Sequence, residues 1–422
     1  MIELERPPIH EKAILARLVL PSHSDDDVEE SLEELRQLAW TAGAEVVRTF
    51  IQHRDRPDPA TLIGIGKANQ IKQAVEETEA DIIIFDSDLG PAQGVKLEDL
   101  VGVKVIDRTQ LILDIFAQRA QTNEGKHQVE LAQLKYMLPR LVGRGSVMRQ
   151  QGGIGVRGPG EQKLEVDRRI IRRRIQRLET EIENIRKSRH VQRRKRTEET
   201  VGTVALVGYT NAGKSSLLNA ITGSDVFVED KLFATLDPRA RRCKLPSSRE
   251  IVLTDTVGFI RSLPHSLVAA FRATLEEVTE ADLLLVVADL AHPHVKDHLA
   301  AVQAVLEEIH AGDKPLINVF NKLDIAPETS EVRQMLHGPG ARVGVSAKTG
   351  EGLGSLLAEI DRQLSSSRRR VTLHIPQGNG AVIARVHQSS RVLNQTYEDN
   401  TVVIEAEIDP ALEGALAEFI QK

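Results

Sequence analysis

The stretch GYTNAGKSS, at Gly208–Ser216, has the spacing G-x4-G-K-S. An apolar run with strand character, Thr203–Val207, precedes it, and Leu217–Ile221 follows with a helical pattern. A strand, a glycine-rich loop and a helix form the context in which this spacing is typical of phosphate binding. Glycines let successive backbone N–H groups surround phosphate oxygens, and the helix N-terminus adds the positive end of its dipole. The stretch therefore predicts a P-loop.

The residues of this loop are predicted to bind one nucleotide together. Lys214 can reach the β- and γ-phosphates, and the Ser215 hydroxyl can hold Mg2+. Ser216 would lie near the α-phosphate. The predicted set is Gly208, Tyr209, Thr210, Asn211, Ala212, Gly213, Lys214, Ser215 and Ser216.

Two later segments predict how the metal ion and the γ-phosphate are held. Asp255 ends the apolar run Glu250–Asp255, as a Walker B aspartate that holds Mg2+ through water should, and the Gly258 N–H can meet the γ-phosphate. Thr235 lies between the P-loop and Asp255, where a switch threonine completes the coordination of Mg2+. The predicted catalytic residues are Lys214, Thr235 and Gly258, and the further predicted contacts are Phe233, Ala234, Thr256 and Val257.

Two further strand ends predict which base is bound. The segment Asn321–Asp324 reads NKLD, and its carboxylate, Asp324, can accept two hydrogen bonds from guanine N1 and N2, a pair that adenine does not offer. The segment Ser346–Lys348 closes the next strand and is similar to the loop whose backbone meets guanine O6. The predicted ligands are therefore GTP or GDP, with Mg2+. The predicted base contacts are Asn321, Lys322, Asp324, Ser346, Ala347 and Lys348.

The pattern of strands and helices predicts an α/β protein of four parts. From Val201 onward strands alternate with amphipathic helices, which predicts a doubly wound parallel sheet with its ligands at the carboxyl ends of the strands. The predicted parts are a small parallel α/β domain at 1–125, a basic helical hairpin at 126–198, a GTPase domain at 199–366 and a small α+β domain at 367–422. In the last part the predicted strands are Val371–Ile375, Gly380–His387 and Thr401–Ala406, with a closing helix at Ala411–Gln421.

A short glycine motif in the first part leaves two interpretations open. Gly64–Lys67 reads GIGK, which could bind phosphate but lacks the full spacing of either nucleotide fingerprint. A tight turn into a helix over Lys67–Glu76 is favoured over a second nucleotide site.

The middle part is predicted to be an antiparallel pair of long helices, about 126–142 and 161–196. Leucines at three- and four-residue spacing mark the first helix, and apolar residues at heptad positions mark the second. Between them Gly143–Gly160 holds seven glycines and no acidic residue, which predicts a loop.

Positive charge is concentrated in this hairpin. Residues 140–196 carry 18 Lys or Arg and 6 Asp or Glu, a net of +12, so the remainder carries −18 of the chain's net charge of −6. A solvated coiled-coil face remains the alternative, but an excess this large favours binding of structured RNA through its backbone. The predicted RNA contacts are Arg144, Arg149, Arg157, Arg172, Arg173, Arg174 and Arg177.

Composition excludes several classes of protein. No apolar run approaches the length of a membrane span, and the charged N-terminal residues do not resemble a signal peptide. The single cysteine, Cys243, cannot form an internal disulfide, so it predicts a packed strand residue in a protein of the reducing cytoplasm.

Taken together, these motifs resemble those of the HflX family of GTPases over nearly the whole chain. The segments that carry the resemblance are GYTNAGKSS at 208–216, LFATLD at 232–237, DTVGFI at 255–260, NKLD at 321–324 and GGIGVRGPGE at 152–161. The resemblance implies cytoplasmic GTP hydrolysis, binding to the large (50S) ribosomal subunit and its RNA, and the rescue, splitting or recycling of stalled or idle ribosomes. We further expect a monomer with a transient membrane-associated fraction, and slow GTP hydrolysis that a bound partner stimulates.

Three features leave questions open. Phe259 stands where small GTPases often place a water-orienting glutamine, as in the family, so the group that orients the water is not identified. Asn211 occupies the position at which potassium-dependent GTPases carry asparagine, so a K+ ion is a further hypothesis. His292, His294 and His298 could suggest a metal site, but surface histidines are favoured. Rival interpretations are a GTP-gated protein scaffold without an RNA partner, and a GTPase serving an RNA-modifying enzyme.

Overall fold

The computed structural model describes residues 11–149, 159–197, 202–223, 232–233, 235–261, 275–366, 369–408, 414 and 416–421. Ala234 and the loop residues 150–158, which include Arg157, lie outside this description. The chain divides into two compact units. The first unit takes in Met1–Asn184, Glu229–Asp237 and Ile260–Thr274, and the second takes in Ile185–Val228, Pro238–Phe259 and Leu275–Lys422.

A four-stranded parallel sheet of order β2-β1-β3-β4 forms the centre of the first unit. Helices cover the sheet, and its two inner strands, the first and the third, are largely buried, with every residue of the third, the IIIF run, buried. This confirms the predicted parallel α/β fold. The strands are β1 (Glu11–Val19), β2 (Ala44–His53), β3 (Ile82–Phe85) and β4 (Lys104–Asp107).

Local sequence signals begin and end the helices around this sheet. The Ser24 side chain caps the first helix by accepting from the Asp27 N–H, and Gly43 ends it in the left-handed conformation. Gly64 precedes the second helix, and its N–H donates to the side chain of Gln52 (2.9 Å). The helix begins at Ile65, two residues before the predicted start at Lys67, so the rest of the GIGK segment is helical. The helices are α1 (Asp25–Ala42), α2 (Ile65–Thr78), α3 (Pro91–Val101) and α4 (Arg108–Arg119).

The predicted hairpin consists of α5 (Asn123–Arg149) and α6 (Pro159–Thr197). The two helices are antiparallel, because Glu130 pairs with Arg174 while the earlier His127 pairs with the later Glu181. The prediction that the first helix ends at residue 142 was wrong, since the helix continues through two glycines to Arg149. Glycine disfavours a helix by only about 1 kcal/mol relative to alanine, a cost that does not forbid helical backbone angles.

A buried polar cluster fastens α5 to the carboxyl edge of the first sheet. Asp107, at the end of β4, accepts hydrogen bonds from the Tyr136 hydroxyl (2.5 Å) and from Arg140 (2.9 Å), both on α5. Burial, together with the Asp107 carboxylate, raises the pKa of Tyr136, so its hydroxyl stays a donor. The middle of α5 is therefore anchored to the first sheet by side chains.

A six-stranded sheet of order β10-β9-β8-β5-β7-β6 forms the centre of the second unit. It is parallel, as predicted, except for the edge strand β6, which runs antiparallel to β7 and carries buried Cys243. The strands are β5 (Gly202–Gly208), β6 (Arg239–Lys244), β7 (Glu250–Asp255), β8 (Leu283–Asp289), β9 (Leu316–Asn321) and β10 (Arg342–Gly344). The helices are α7 (Lys214–Thr222), α8 (Glu276–Glu280), α9 (Val295–Glu308), α10 (Ser330–His337) and α11 (Leu353–Ser366).

The end of the chain forms a three-stranded antiparallel sheet, which confirms a small α+β part. Its order is β11-β13-β12, from Arg369–Pro376, Thr401–Ile408 and Arg391–Glu398 respectively. The strand predicted at Gly380–His387 was wrong, because this segment is helix α12 (Gly380–Ser389). Its apolar residues recur at helical spacing and pack on the buried face of the sheet, which overrides their β-branched character. The predicted closing helix falls partly on residues outside the description.

Of the helices that the structure describes, none combines the length and the apolar character that crossing a membrane requires.

Candidate nucleotide site

Close contacts explain the glycines of the Gly208–Ser216 loop. A Cβ atom at Gly208 would lie 2.2 Å from the carbonyl oxygen of Val287 in the neighbouring strand. Gly213 has a φ of +88°, and a Cβ there would lie 2.2 Å from the side-chain nitrogen of Asn321. Side chains at either position would push the loop away from the sheet, so the loop conformation depends on both glycines.

Lys214 begins α7 and folds back over the loop. Its Nζ donates to the carbonyl oxygens of Gly208 (3.1 Å) and Tyr209 (2.9 Å). Burial lowers the pKa of Lys214 to about 8, and the nearby Asp255 carboxylate acts in the opposite direction. The loop thus holds its cation with two backbone carbonyl oxygens.

The two predicted Mg2+ ligands of the second unit lie side by side. The Ser215 hydroxyl donates to the Asp255 carboxylate (2.6 Å), and Asp255 is fully buried at the end of β7. Hydroxyl and carboxylate oxygens are the donors that Mg2+ prefers, so this pair fits the ion chemically. Next to it the Thr256 hydroxyl donates to the Leu206 carbonyl (2.7 Å), which ties the end of β7 to β5.

The segment after Asp255 is bonded directly to the P-loop. The Phe259 N–H donates to the Gly208 carbonyl (3.0 Å), and the Thr210 N–H donates to the Phe259 carbonyl (2.7 Å). A Cβ at Gly258 would lie 2.8 Å from Cγ2 of Thr210 and 3.0 Å from Nζ of Lys214, so only glycine fits there. The Phe259 ring is buried and apolar, and it therefore offers no hydrogen bond to a water molecule.

The NKLD and SAK segments meet the P-loop. The Asn321 side chain donates to the Ala212 carbonyl (2.9 Å) and accepts from the Ala347 N–H (3.0 Å). The Ser346 hydroxyl donates to the Asp324 carboxylate (2.7 Å). Three segments that are distant in the sequence are thereby brought to one edge of the second sheet, as a base-binding site requires.

Two neighbours of this site were not identified from the sequence. Asp289, at the end of β8, forms an ion pair with Lys322 (2.7 Å). Its position at the end of a strand was the sequence signal that could have identified it as a residue near the site. The His298 ring stacks on Tyr209 of the P-loop, with centroids 3.7 Å apart and planes 5° apart. No spacing rule links a histidine on α9 to the P-loop, so only the fold could reveal this contact.

The segment Leu232–Asp237, which contains Thr235, belongs to the first unit. Thr235 is buried there, together with Phe233. Arg261, directly after the DTVGFI motif, also belongs to that unit and pairs with Asp27 (2.8 Å) and Glu30 (2.6 Å) of α1. Sequence reasoning missed Arg261, because its partners lie more than two hundred residues away in the chain.

The predicted arginines of the hairpin differ in their surroundings. Arg172 and Arg173 are exposed. Arg174 instead forms two 2.7 Å bonds to the Glu130 carboxylate, and these bonds raise the pKa of Arg174. Arg177 reaches Glu181 (3.1 Å) but stays 73% exposed. Arg144 and Arg149 lie in the last turns of α5.

Comparison with protein families finds a match for each of four successive parts of the chain. The matching family models are described as GTP-binding GTPase N-terminal (residues 29–117), GTP-binding GTPase Middle Region (119–196), 50S ribosome-binding GTPase (203–322) and HflX C-terminal domain (332–417). The four matches follow one another from residue 29 to residue 417 and include both the P-loop and the hairpin.

Curated relatives match over almost their full length. A protein named GTPase HflX from Caldanaerobacter subterraneus subsp. tengcongensis is 46% identical over 411 residues, which are 97% of this chain and 94% of the relative. A protein of the same name from Escherichia coli strain K12 is 45% identical over 392 residues, which are 92% of this chain and 91% of the relative. The similarity therefore extends through all of the parts described above.

Proposed function

The chain belongs to the HflX family of GTPases, and from that premise we propose that it binds the large ribosomal subunit and uses GTP turnover to split or recycle stalled or idle ribosomes. The observation that carries the proposal is a basic helical hairpin joined in one chain to a GTPase sheet. The match of residues 203–322 to the 50S ribosome-binding GTPase model supports the same partner. We further propose that the protein acts as a monomer in the cytoplasm.

We propose that the nucleotide occupies the P-loop edge of the second sheet, as GTP before turnover and as GDP after it. Mg2+, when bound, supplies positive charge against the β- and γ-phosphates. Ser215, Asp255 and Thr235 would hold the ion, and the hydrogen bond between the first two supports this assignment. Lys214 would bind the phosphates, and the Gly258 N–H would meet the γ-phosphate.

The hairpin would contact ribosomal RNA through its exposed arginines. Arg172 and Arg173 fit this role, because their guanidinium groups face solvent. Arg174 contributes less, since the Glu130 carboxylate already neutralises its charge. Contacts to RNA phosphates release counterions, so the affinity of such a complex depends steeply on salt.

The first prediction concerns this salt dependence. Changing Arg172, Arg173 and Arg177 together to Glu is expected to weaken binding to large subunits and to flatten the salt dependence. Each lost phosphate contact removes about 0.9 from the slope of log K against log [salt] for a duplex. Sedimentation of the variant with large subunits across a salt series measures both quantities.

A matched control makes the same charge change elsewhere on the first unit. Arg36, Arg56 and Lys72 are also exposed, and reversing them to Glu should leave the slope closer to that of the wild type. GTP affinity should be unaffected in both variants, because none of the substituted residues belongs to the P-loop or to the other segments proposed to bind the nucleotide and Mg2+. An unchanged slope in the hairpin variant would contradict RNA binding by this face and would favour the protein scaffold.

The second prediction concerns turnover and its cation. Because Phe259 offers no hydrogen bond to water, the free protein is expected to hydrolyse GTP slowly, and large subunits are expected to accelerate hydrolysis.

The Asn211 amide oxygen is a suitable ligand for K+, so turnover should be faster in K+ than in Na+. Turnover measured in each salt, with and without subunits, tests both expectations. Asn211→Ala should lose the preference for K+, and fast, cation-indifferent hydrolysis by the free wild-type protein would refute both.

A further inference from the structure

The segment Leu232–Asp237, called here the switch segment, is packed onto α4 in the first unit. Its three leucine and phenylalanine side chains are buried, and the Phe233 ring meets the edge of Phe116 on α4 at a centroid distance of 4.7 Å. Phe233 has a φ of +54°, a backbone conformation that is costly for an aromatic residue. Packing against α4 therefore holds a strained backbone in place.

The last residue of the switch segment is bonded to the start of α5. The Asp237 carboxylate accepts hydrogen bonds from the N–H groups of Gln121 (2.9 Å) and Thr122 (3.0 Å) and from the Thr122 hydroxyl (2.5 Å). Thr122 in turn caps the helix by accepting from the Gly125 N–H (3.0 Å). Asp237 thus does from a distant part of the chain what the glutamate of a capping box does locally, and its charge suits the positive end of the helix.

The sequence of α5 is adapted to this carboxylate. A Cβ at Gly125 would lie 2.4 Å from Oδ1 of Asp237, so the carboxylate can approach only because residue 125 is glycine. Glycine in the first turn otherwise weakens a helix by about 1 kcal/mol relative to alanine. The contact with Asp237 therefore explains why glycine occupies position 125, although glycine by itself disfavours the helix.

We propose that Asp237 is a positioning residue that couples the nucleotide state of the switch segment to α5 and so to the hairpin. The inference rests on the proposed role of Thr235 in holding Mg2+ beside the γ-phosphate. Thr235 and Asp237 are two residues apart, which the chain can span by at most about 7 Å, so an ordered Thr235 constrains Asp237. The contact at the N-terminus of α5 lies on the same continuous helix, Asn123 to Arg149, as the turns next to the hairpin tip.

The experiment compares Asp237→Ala and Gly125→Ala with the wild type. Amide hydrogen exchange in the first turn of α5 is measured with GDP and with a non-hydrolysable GTP analogue. The wild type is expected to show protection that differs between the two nucleotides, and both variants are expected to lose that difference. The double variant should behave like either single variant, because each change removes the same contact.

Gly125→Ala separates coupling from simple helix stability. If Asp237 only stabilised the helix, the helix preference of alanine at position 125 would offset the lost cap, and protection would still differ between the two nucleotides, which would overturn the proposal. Asp361→Asn is a matched control, since Asp361, on α11 of the second unit, accepts from the Ser247 N–H (3.0 Å) and hydroxyl (2.8 Å) and makes no contact with the switch segment through these bonds. It is expected to keep the nucleotide-dependent protection.

A second measurement tests the consequence for the ribosome. The ratio of the dissociation constants for large subunits with GDP and with the GTP analogue should fall to about one in both Asp237→Ala and Gly125→Ala, since coupling is a free energy linking two sites. A wild-type ratio in these variants would refute the coupling. The exchange measurement needs no ribosome, so failure of the proposed ribosomal function and failure of this inference are distinguishable.

Discussion

Lys214→Ala is expected to remove measurable GTP turnover and to weaken GTP binding by roughly two to four orders of magnitude. Hydrogen bonds to charged groups contribute about 1.5–3 kcal/mol each. Two such bonds to phosphate oxygens would contribute about 3–6 kcal/mol, at about 1.4 kcal/mol for each tenfold change in affinity. The carbonyl oxygens of Gly208 and Tyr209 hold the amine beside the loop that would bind the phosphates.

The same substitution should not destabilise the protein without nucleotide. Burial lowers the pKa of Lys214, which means that the folded state pays to keep this cation charged. The thermal midpoint of the nucleotide-free variant is therefore expected to equal or exceed that of the wild type. In the wild type the thermal midpoint should rise when GDP and Mg2+ are added, and in the variant this rise should disappear, because a ligand stabilises only the protein that binds it.

Lys314→Ala is the matched control for this prediction. Lys314 is also a lysine whose pKa is lowered by burial, and its Nζ donates to the Ala281 carbonyl (2.7 Å). It precedes β9 at the amino end of the strand, whereas nucleotides bind at the carboxyl ends. The control should keep wild-type GTP affinity. Wild-type GTP affinity in Lys214→Ala would show that the P-loop assignment is wrong.

Asp324→Asn is expected to change the preferred base from guanine to xanthine. The carboxylate would accept two hydrogen bonds from guanine, whereas the amide presents a donor opposite a donor of the base. Two lost hydrogen bonds to the charged carboxylate, at about 1.5–3 kcal/mol each, correspond to a loss of GTP affinity of roughly two to four orders of magnitude. Xanthine carries an acceptor at the 2-position, so it restores the pairing with the amide. Competition between GTP and xanthosine triphosphate for the purified variant measures the change.

Ser346→Ala controls for the structural role of Asp324. The Ser346 hydroxyl donates to the Asp324 carboxylate, so its removal disturbs the loop without changing the carboxylate itself. This variant is expected to keep its preference for guanine with a modest loss of affinity. If Asp324→Asn bound GTP as tightly as the wild type and xanthosine triphosphate no better, Asp324 would not be the base-reading residue.

The family and the α/β fold were predictable because their signals are local. The P-loop, the aspartate after an apolar strand and the NKLD segment each depend on a few neighbouring residues and on the strand that precedes them. Buried strands can also be predicted from short apolar runs, such as the IIIF run of β3. The prediction of secondary structure failed where local signals conflict. In α12, β-branched residues lie on the apolar face of a helix, and in α5, two glycines lie within a helix.

The partners of the side chains were decided by the tertiary structure alone. Asp237 caps a helix that begins more than one hundred residues earlier, and Arg261 pairs with α1 across an even longer separation. Lys322 and Asp289 meet because β8 and β9 are neighbours in the sheet. Periodicity and spacing report the conformation of a segment and which face is apolar, whereas a contact between distant segments depends on strand order and helix packing. The sequence by itself therefore determined the family, the α/β fold and the P-loop, and the tertiary structure decided how the switch segment is fastened to the hairpin.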